Sequence, residues 1–370
     1  MSDYKIKFLP YNKEVKVPAG ETLIRAAMEA GVHINASCGG EGACGKCRVL
    51  IESGELSGGI TKRLRDDDIK KGYRLACQSI VTGDVTVRVP IESEVDASVL
   101  NQLITPRQTA RIRTVDFEEL KEQGLFISPL EKAYLELPPP DALDHLPDVT
   151  RLVSHLTLAR EEHRLEVDLT VIRKIPDVLR EDDFKVTATL ARPVRQVGKT
   201  RIVNVQPGDT SGCNMAIAID IGTTTVYGQL IDLITGEVLA EKGDFNSQIS
   251  YGEDVITRIV FAEKADGLEK LHERVIATIN KIIGWITKRA GIDLECISAI
   301  TLAGNTTMTQ LFLKVNPKYI RRAPYVPAAT LYPPVRAIDL GLGLGEHVTA
   351  LVYPAVSSYV GGDIVAGVMG

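Results

Sequence analysis

The chain has 370 residues, of which 44% are hydrophobic, and a net charge of −5. That length suits about two to four domains with packed cores. The acidic balance excludes nucleic acid or an anionic membrane as the main partner, and no apolar run nears the roughly 20 residues that span a bilayer. The N-terminal Met-Ser-Asp-Tyr-Lys lacks the apolar region of a signal peptide, which points to the cytoplasm.

Residues 4–8 alternate apolar and polar, as a half-buried strand does, and 15–17 repeat the pattern after a turn at 10–12. A hairpin is expected. Residues 22–30 read as a helix with Leu23, Ala26, Ala27 and Ala30 on one face, stopped at Gly31. A glycine-rich stretch over 37–47 follows, then a strand at 48–52 and a short polar helical stretch at 60–71. Residues 73–77 end on a cysteine, and 85–89 form a closing strand before Pro90.

Four of the six cysteines fall in this region, Cys38, Cys44, Cys47 and Cys77, spaced C-x5-C-x2-C-x29-C. Four thiolates can hold a [2Fe–2S] cluster, two on each iron. Gly39, Gly40, Gly42 and Gly45 allow the positive φ angles and close backbone approach that wrapping a cluster requires. Amide groups turned toward the sulfurs then stabilise the anionic cluster. Zinc is the main alternative, but structural zinc sites usually pair two short knuckles, and here one ligand stands far off. Disulfides are not expected in a chain without a secretory leader. The stretch resembles the [2Fe–2S] ferredoxin family over residues 3–91, with a first gap like that of the adrenodoxin-like branch. The order of strands and helix is that of the β-grasp ferredoxin fold.

Residues 92–125 change character and read as a linker with a helix or two, broken at Thr105-Pro106, a packed connector being the alternative. Residues 126–209 read as a small α/β middle domain, with strands at 132–137, 185–191 and 201–205 and helices at 148–159 and 169–180. His145, His155 and His163 share no ligand spacing, so no chemistry is assigned there.

From Met215 a buried strand ends in Asp220, followed by Gly222-Thr223-Thr224-Thr225 and a second strand. An aspartate at a strand's end before such a turn suits a nucleotide. The glycine makes the turn, threonine hydroxyls and backbone amides cradle phosphate, and the carboxylate holds Mg²⁺. A capped hairpin is the plain alternative. A second strand at 297–303 leads through Gly304-Asn305-Thr306-Thr307 into a helix, and Gly361-Gly362-Asp363 forms a third motif. These three motifs, in this order, resemble the superfamily of acetate and sugar kinases, heat-shock chaperones and actin, a ribonuclease H-like fold. In that resemblance Gly222, Thr223, Thr224, Thr225, Gly304, Asn305, Gly361 and Gly362 surround ATP, while Asp220 and Asp363 position Mg²⁺ or the attacking water. Between the motifs, a helix is expected to start near Tyr251, with Asp254 and Arg258 one turn apart and able to pair, a plain capped helix being the favoured alternative. Cys213 and Cys296 are isolated and read as small buried residues.

The expected architecture is thus multidomain, α+β and α/β: a β-grasp [2Fe–2S] ferredoxin (1–91), a helical linker (92–125), a small α/β middle domain (126–209) and a partial actin-like ATPase lobe (210–370). That combination resembles the reductive activators of corrinoid proteins. Asn246, Gln248, Tyr251-Gly252, Asp254, Arg258 and the stretch from Gly304 to Met308 all resemble parts of that family. The resemblance implies that the [2Fe–2S] cluster returns one electron to a corrinoid protein or methyltransferase subunit, taking cobalt(II) to cobalt(I), with assistance from ATP. Plant-type clusters lie near about −400 mV, so an uphill step is implied. An upstream electron donor is needed, and a homodimer is compatible with this reading. The chain stops just past Asp363, so a second lobe is expected to be almost absent and ATP turnover by residues 1–370 alone to be slight. The rival reading is a redox carrier or cofactor-assembly chaperone whose nucleotide-like domain only docks a partner. A small-molecule kinase is disfavoured, because it has no need of a cluster.

Overall fold

The computed structural model of the chain describes residues 3–32, 34–36, 42, 44–90, 93, 129–160, 164–193 and 198–369. Cys38, Gly39, Gly40, His163 and the linker stretch other than Ser93 lie outside the described residues.

The first unit is a five-stranded sheet. Strands β1 (Asp3–Leu9) and β2 (Lys13–Pro18) form the expected hairpin, and helix α1 (Leu23–Glu29) follows. Strands β3 (Arg48–Ser53), β5 (Tyr73–Leu75) and β7 (Val85–Arg88) complete the order β2-β1-β7-β3-β5, with β1 parallel to β7. A satellite pair joins β4 (Leu56–Gly58) to β6 (Ser79–Val81). The period of two places Ile6 and Phe8 fully inside while Lys5 and Lys7 stay outside. Leu23, Ala26 and Ala27 of α1 close over them. The helical stretch expected over 60–71 contracts to α2 (Asp66–Lys70). Asp66, Asp67 and Asp68 fill its first turn, where three carboxylates complement the helix dipole and fix the start.

The second unit is a four-stranded sheet of β8 (Leu130–Glu136), β9 (Leu165–Val167), β10 (Lys185–Ala191) and β11 (Thr200–Pro207), in the order β8-β10-β11-β9. Helices α3 (Asp148–Arg160) and α4 (Leu169–Glu181) cover one face through Leu152, Leu156, Val171, Ile175 and Leu179. The three-residue β9 escaped the sequence reading. Gln206 donates to the Glu295 carbonyl at 3.3 Å, and Asn214 to the Leu130 carbonyl at 3.3 Å, joining this unit to the next.

The third unit is a six-stranded sheet of β12 (Met215–Ile221), β13 (Thr225–Asp232), β14 (Val238–Phe245), β15 (Ile297–Gly304), β16 (Val335–Arg336) and β17 (Thr349–Val352). Its order is β14-β13-β12-β15-β17-β16, with β12, β15 and β17 parallel. Helices α5 (Val255–Ala262), α6 (Gly267–Ala290), α7 (Thr306–Phe312) and α8 (Gly362–Met369) belong to the same unit. The long α6 is absent from the sequence reading although its signal is plain. Leu271, Val275, Ile279, Ile282 and Ile286 recur at helical spacing and are buried, and Gly291 ends the helix in the left-handed region.

Cys213 and Cys296, read above as isolated, form a disulfide, with Cα atoms 5.3 Å apart. Register explains it. β12 and β15 pair in parallel from Met215 opposite Ile297, so the residues just before the two strands lie side by side. The expectation that the chain forms no disulfide is corrected by that pairing.

Gly228 on β13 lies under α6. A Cβ there would come within 2.6 Å of Ile282 Cγ2 and 2.8 Å of Ile219 Cδ1. Gly228→Ala should therefore destabilise this unit by about 1–3 kcal/mol through overpacking, measured by urea denaturation. Residues 1–93 expressed alone should fold around their own sheet, with Ser93 included because its carbonyl accepts from the Asn35 amide at 2.9 Å. An unfolded 1–93 fragment by circular dichroism would show that this sheet depends on the rest of the chain.

Candidate functional site

The structure presents two places built for chemistry. The first is the cysteine loop. Cys47 ends the loop before β3, and Cys77 lies in a short 3-10 turn (Ala76–Gln78) between β5 and β6. Both are buried, and their sulfurs approach to 3.2 Å as free thiols. Cys44 stands half-buried on the adjacent turn, with the Lys46 amide 3.5 Å from its sulfur. Among the described residues no three ligand side chains gather at one point; the Cys47–Cys77 pair does, and Cys38 lies outside that set. Gly42 and Gly45 both have positive φ, 71° and 73°. A Cβ on Gly42 would lie 2.9 Å from the Gln78 side chain, and one on Gly45 3.1 Å from Arg63 Cβ. The hydrogen bond from Cys47, then the Gly42 amide, lowers the Cys77 thiol to about 7 despite burial, while Cys47, as donor, is pushed up. Converging buried sulfurs that receive a backbone amide fit an anionic iron–sulfur group.

The second place is at the carboxyl ends of β12 and β15. Asp220 is the penultimate residue of β12, and Gly222, Thr223 and Thr224 turn the chain into β13, which starts at Thr225. A Cβ on Gly222 would lie 2.5 Å from the Thr225 carbonyl, so only glycine closes this turn. Every carbonyl of the turn is tied back. Asn246 donates its side-chain amide to Gly222 O at 2.9 Å and its backbone amide to Thr224 O at 2.9 Å, and Arg258 donates to Thr223 O at 2.5 Å. With the carbonyls held inward, the hydroxyls and N–H groups are the polar groups left to an incoming anion.

The second motif meets the first directly. Asn305 caps α7, accepting from the Met308 amide at 3.0 Å, and donates to Thr223 Oγ1 at 3.2 Å. Gly304 ends β15, where a Cβ would lie 3.0 Å from Ile221 O. The third motif closes on the second. A Cβ on Gly361 would lie 2.4 Å from Asn305 Cα, and one on Gly362 2.8 Å from Tyr353 O. Thr306 Oγ1 also donates to Ser357 O at 2.7 Å. Asp363 stands in the first turn of α8, near enough for its charge to act on Asp220. Protein packed around the Asp220 carboxylate, and then the Asp363 charge, push its pKa upward, although the residue stays open to solvent. All three motifs are thus brought together at one edge of the sheet.

Of the two readings of this segment, the capped helix holds and the Asp254–Arg258 pair is not formed. Asp254 caps α5, accepting from Thr257 N at 2.9 Å in a reciprocal capping box, so the helix starts at Val255 rather than near Tyr251. Arg258 turns inward instead and is fully buried. The signal was present in the sequence, since Arg258 falls on the same helical face as Val255, Ile259 and Ala262. Of the three histidines set aside, His155 donates from Nδ1 to Arg151 O at 2.9 Å, and among the described residues it forms no ligand cluster with His145.

Comparison with known proteins follows this division. Residues 6–82 match the 2Fe-2S iron-sulfur cluster binding domain, 119–212 the RACo linker region and 215–370 the RACo middle region. What was read as the middle domain thus falls in the linker region, and the lobe in the middle region. The corrinoid activation enzyme RamQ of Eubacterium limosum is 28% identical over 379 residues, covering 99% of this chain and 55% of RamQ. A solved structure, the reductive activator for corrinoid, iron-sulfur protein, is 35% identical with a TM-score of 0.60, covering 99% of this chain and 57% of that one. The glycine betaine monooxygenase reductase subunit of Pseudomonas aeruginosa is 39% identical over 88 residues, 23% of each chain. The chain spans just over half the length of RamQ and of the solved activator. No helix among the described residues is long and apolar enough to cross a membrane. A ferredoxin domain, a RACo linker region and a RACo middle region follow one another along nearly the whole chain, which thus shares its domain order with the reductive activators of corrinoid proteins.

Proposed function

We propose that the chain delivers one electron to a corrinoid protein, returning cobalt(II) to cobalt(I), and that a nucleotide held between Asp220 and Asp363 assists the delivery. The observation that carries this is the convergence of three phosphate-type motifs in the same chain as a ferredoxin domain. Cys38, Cys44, Cys47 and Cys77 would hold the [2Fe–2S] cluster, which supplies a low-potential one-electron store. The Gly42 amide steadies the negative charge there. At the cleft, Gly222, Thr223, Thr224 and Thr225 present donors to phosphate, Asn305 orients the Thr223 hydroxyl, and Gly304, Gly361 and Gly362 let the backbones close. Two facing carboxylates repel each other until a cation such as Mg²⁺ bridges them. A nucleotide can favour the uphill transfer only by binding more tightly to the state in which cobalt is easier to reduce. The domain limits at 91, 125 and 209, the upstream donor and a cytoplasmic setting belong to the same proposal.

Anaerobically purified protein should contain about two irons and two labile sulfides per chain. Cys47→Ala or Cys77→Ala should abolish or destabilise the charge-transfer absorbance, whereas Cys213→Ala should leave it unchanged. One zinc per chain in place of iron would end the redox reading.

The cleft makes a prediction of opposite sign to an ordinary ion pair. Because the folded state raises the Asp220 pKa above its unfolded value, stability is lost as pH rises and the carboxyl ionises. Asp220→Asn should therefore melt above the parent chain at neutral pH without metal, and the gap should shrink on acidification. Mg²⁺ should narrow it from the other side by stabilising the parent alone. A variant that melts below the parent under these conditions would show that the two carboxylates are not in conflict.

A further inference from the structure

Arg258 is a buried charge that forms no ion pair among the described residues. A buried guanidinium is costly unless its donors are met. Here three oxygens meet them: Gly252 O at 2.8 Å from Nε, Gln248 Oε1 at 3.0 Å from Nη1 and Thr223 O at 2.5 Å from Nη2. Desolvation lowers its pKa to about 9, and the nearby Asp254 charge offsets only part of that cost.

Two of these acceptors belong to separate places. Thr223 is in the phosphate-type turn, and Gly252 is in the segment just before α5. The residue after Gly252, Glu253, accepts from Lys46 Nζ at 3.0 Å, and Lys46 lies in the cysteine loop between Cys44 and Cys47. One planar, rigid fork therefore connects the turn to the point where the cysteine loop touches the third unit. The connection has little slack. A Cβ on Gly252 would come within 2.5 Å of Thr257 Oγ1 and 2.9 Å of Arg258 N, so the segment is pressed onto the start of the helix. The Lys46–Glu253 pair is half exposed, and such pairs hold weakly on their own. The placement of Glu253 thus decides whether the loop docks.

We infer that Arg258 is a positioning residue that makes the turn at 222–224 and the segment at 252–253 one unit, so that a phosphate-bearing ligand on the turn controls docking of the cysteine loop at Glu253. The ligand in this statement rests on the nucleotide reading above; the mechanical link does not. A weak, adjustable contact suits a cluster that must dock and leave.

The test uses the full chain with its cluster. Amide exchange by mass spectrometry reads the turn at 222–225 and the segment at 252–254, and a zero-length carbodiimide cross-link between Lys46 and Glu253 reads docking. Arg258→Lys keeps the charge and loses the fork. It should speed exchange in both segments together by about tenfold or more, the worth of one charged hydrogen bond, and lower the cross-link yield. Gly252→Ala lifts the segment without touching the charge and should likewise lower the yield and loosen the turn. If either variant, folded and with its cluster absorbance intact, loosens only one segment or leaves the cross-link unchanged, the link is overturned. In the parent chain, Mg-ATP should slow exchange in the turn and change the cross-link yield at least about twofold, within the range of ordinary coupling energies. Protection of the turn with an unchanged yield overturns the inference and keeps the nucleotide reading. No protection of the turn, with both segments still loosened together by Arg258→Lys, removes the nucleotide and keeps the link.

Discussion

The parallel pairing of β12 with β15 is the constraint on which the site depends. Parallel strands end at the same edge of a sheet, and ligands of open α/β sheets bind beyond their carboxyl ends. In this register Ile221 pairs with Gly304, so the turn after Asp220 and the cap of α7 emerge side by side. Asn305 then reaches Thr223, and Gly361 can settle on the Asn305 backbone because it carries no Cβ. The same ladder, after a one-residue shift between Met215 and Ala216, brings Cys213 beside Cys296 at the opposite end. One ladder thus fixes both the converging turns at one end and the covalent link at the other.

The two candidate sites handle negative charge in opposite ways. Around Cys77 the chain favours an anion: a thiol hydrogen bond and the Gly42 amide outweigh the cost of burial. At Asp220 the surroundings disfavour the carboxylate, and Asp363 adds to the penalty. Natural sequences depart from such internal consistency chiefly at functional sites. Arg258 adds a third departure, a buried cation that forms no ion pair among the described residues, placed directly behind the turn.

The junction between the second and third units is polar rather than apolar. Lys132 is buried and donates to Gln206 at 2.7 Å, and burial lowers its pKa to about 8. Gln206 in turn donates to the backbone carbonyl of Glu295, next to the disulfide. Directional hydrogen bonds fix orientation better than apolar contact does, because each partner demands a distance and an angle.

The sequence by itself determined the local chemistry. Cysteine spacing with glycines, alternation in β1 and β10, the apolar run of β12 and the Asp-Gly-Thr turn each depend on neighbours within a few residues, and all were legible. It also carried signals that went unread, such as the apolar stripe of α6 and the arginine on the apolar face of α5. What only the tertiary structure decided are the pairings across long separations. Asp254 and Arg258 are one turn apart, close enough to suggest an ion pair. Yet a helix start has unsatisfied amides to cap, and the folded turn at Thr223 offers a carbonyl that needs a donor. Cys213 and Cys296 are 83 positions apart, and only the strand register makes them neighbours. Periodicity reports which face a residue takes; which residue from elsewhere meets it there is settled by packing of the whole chain.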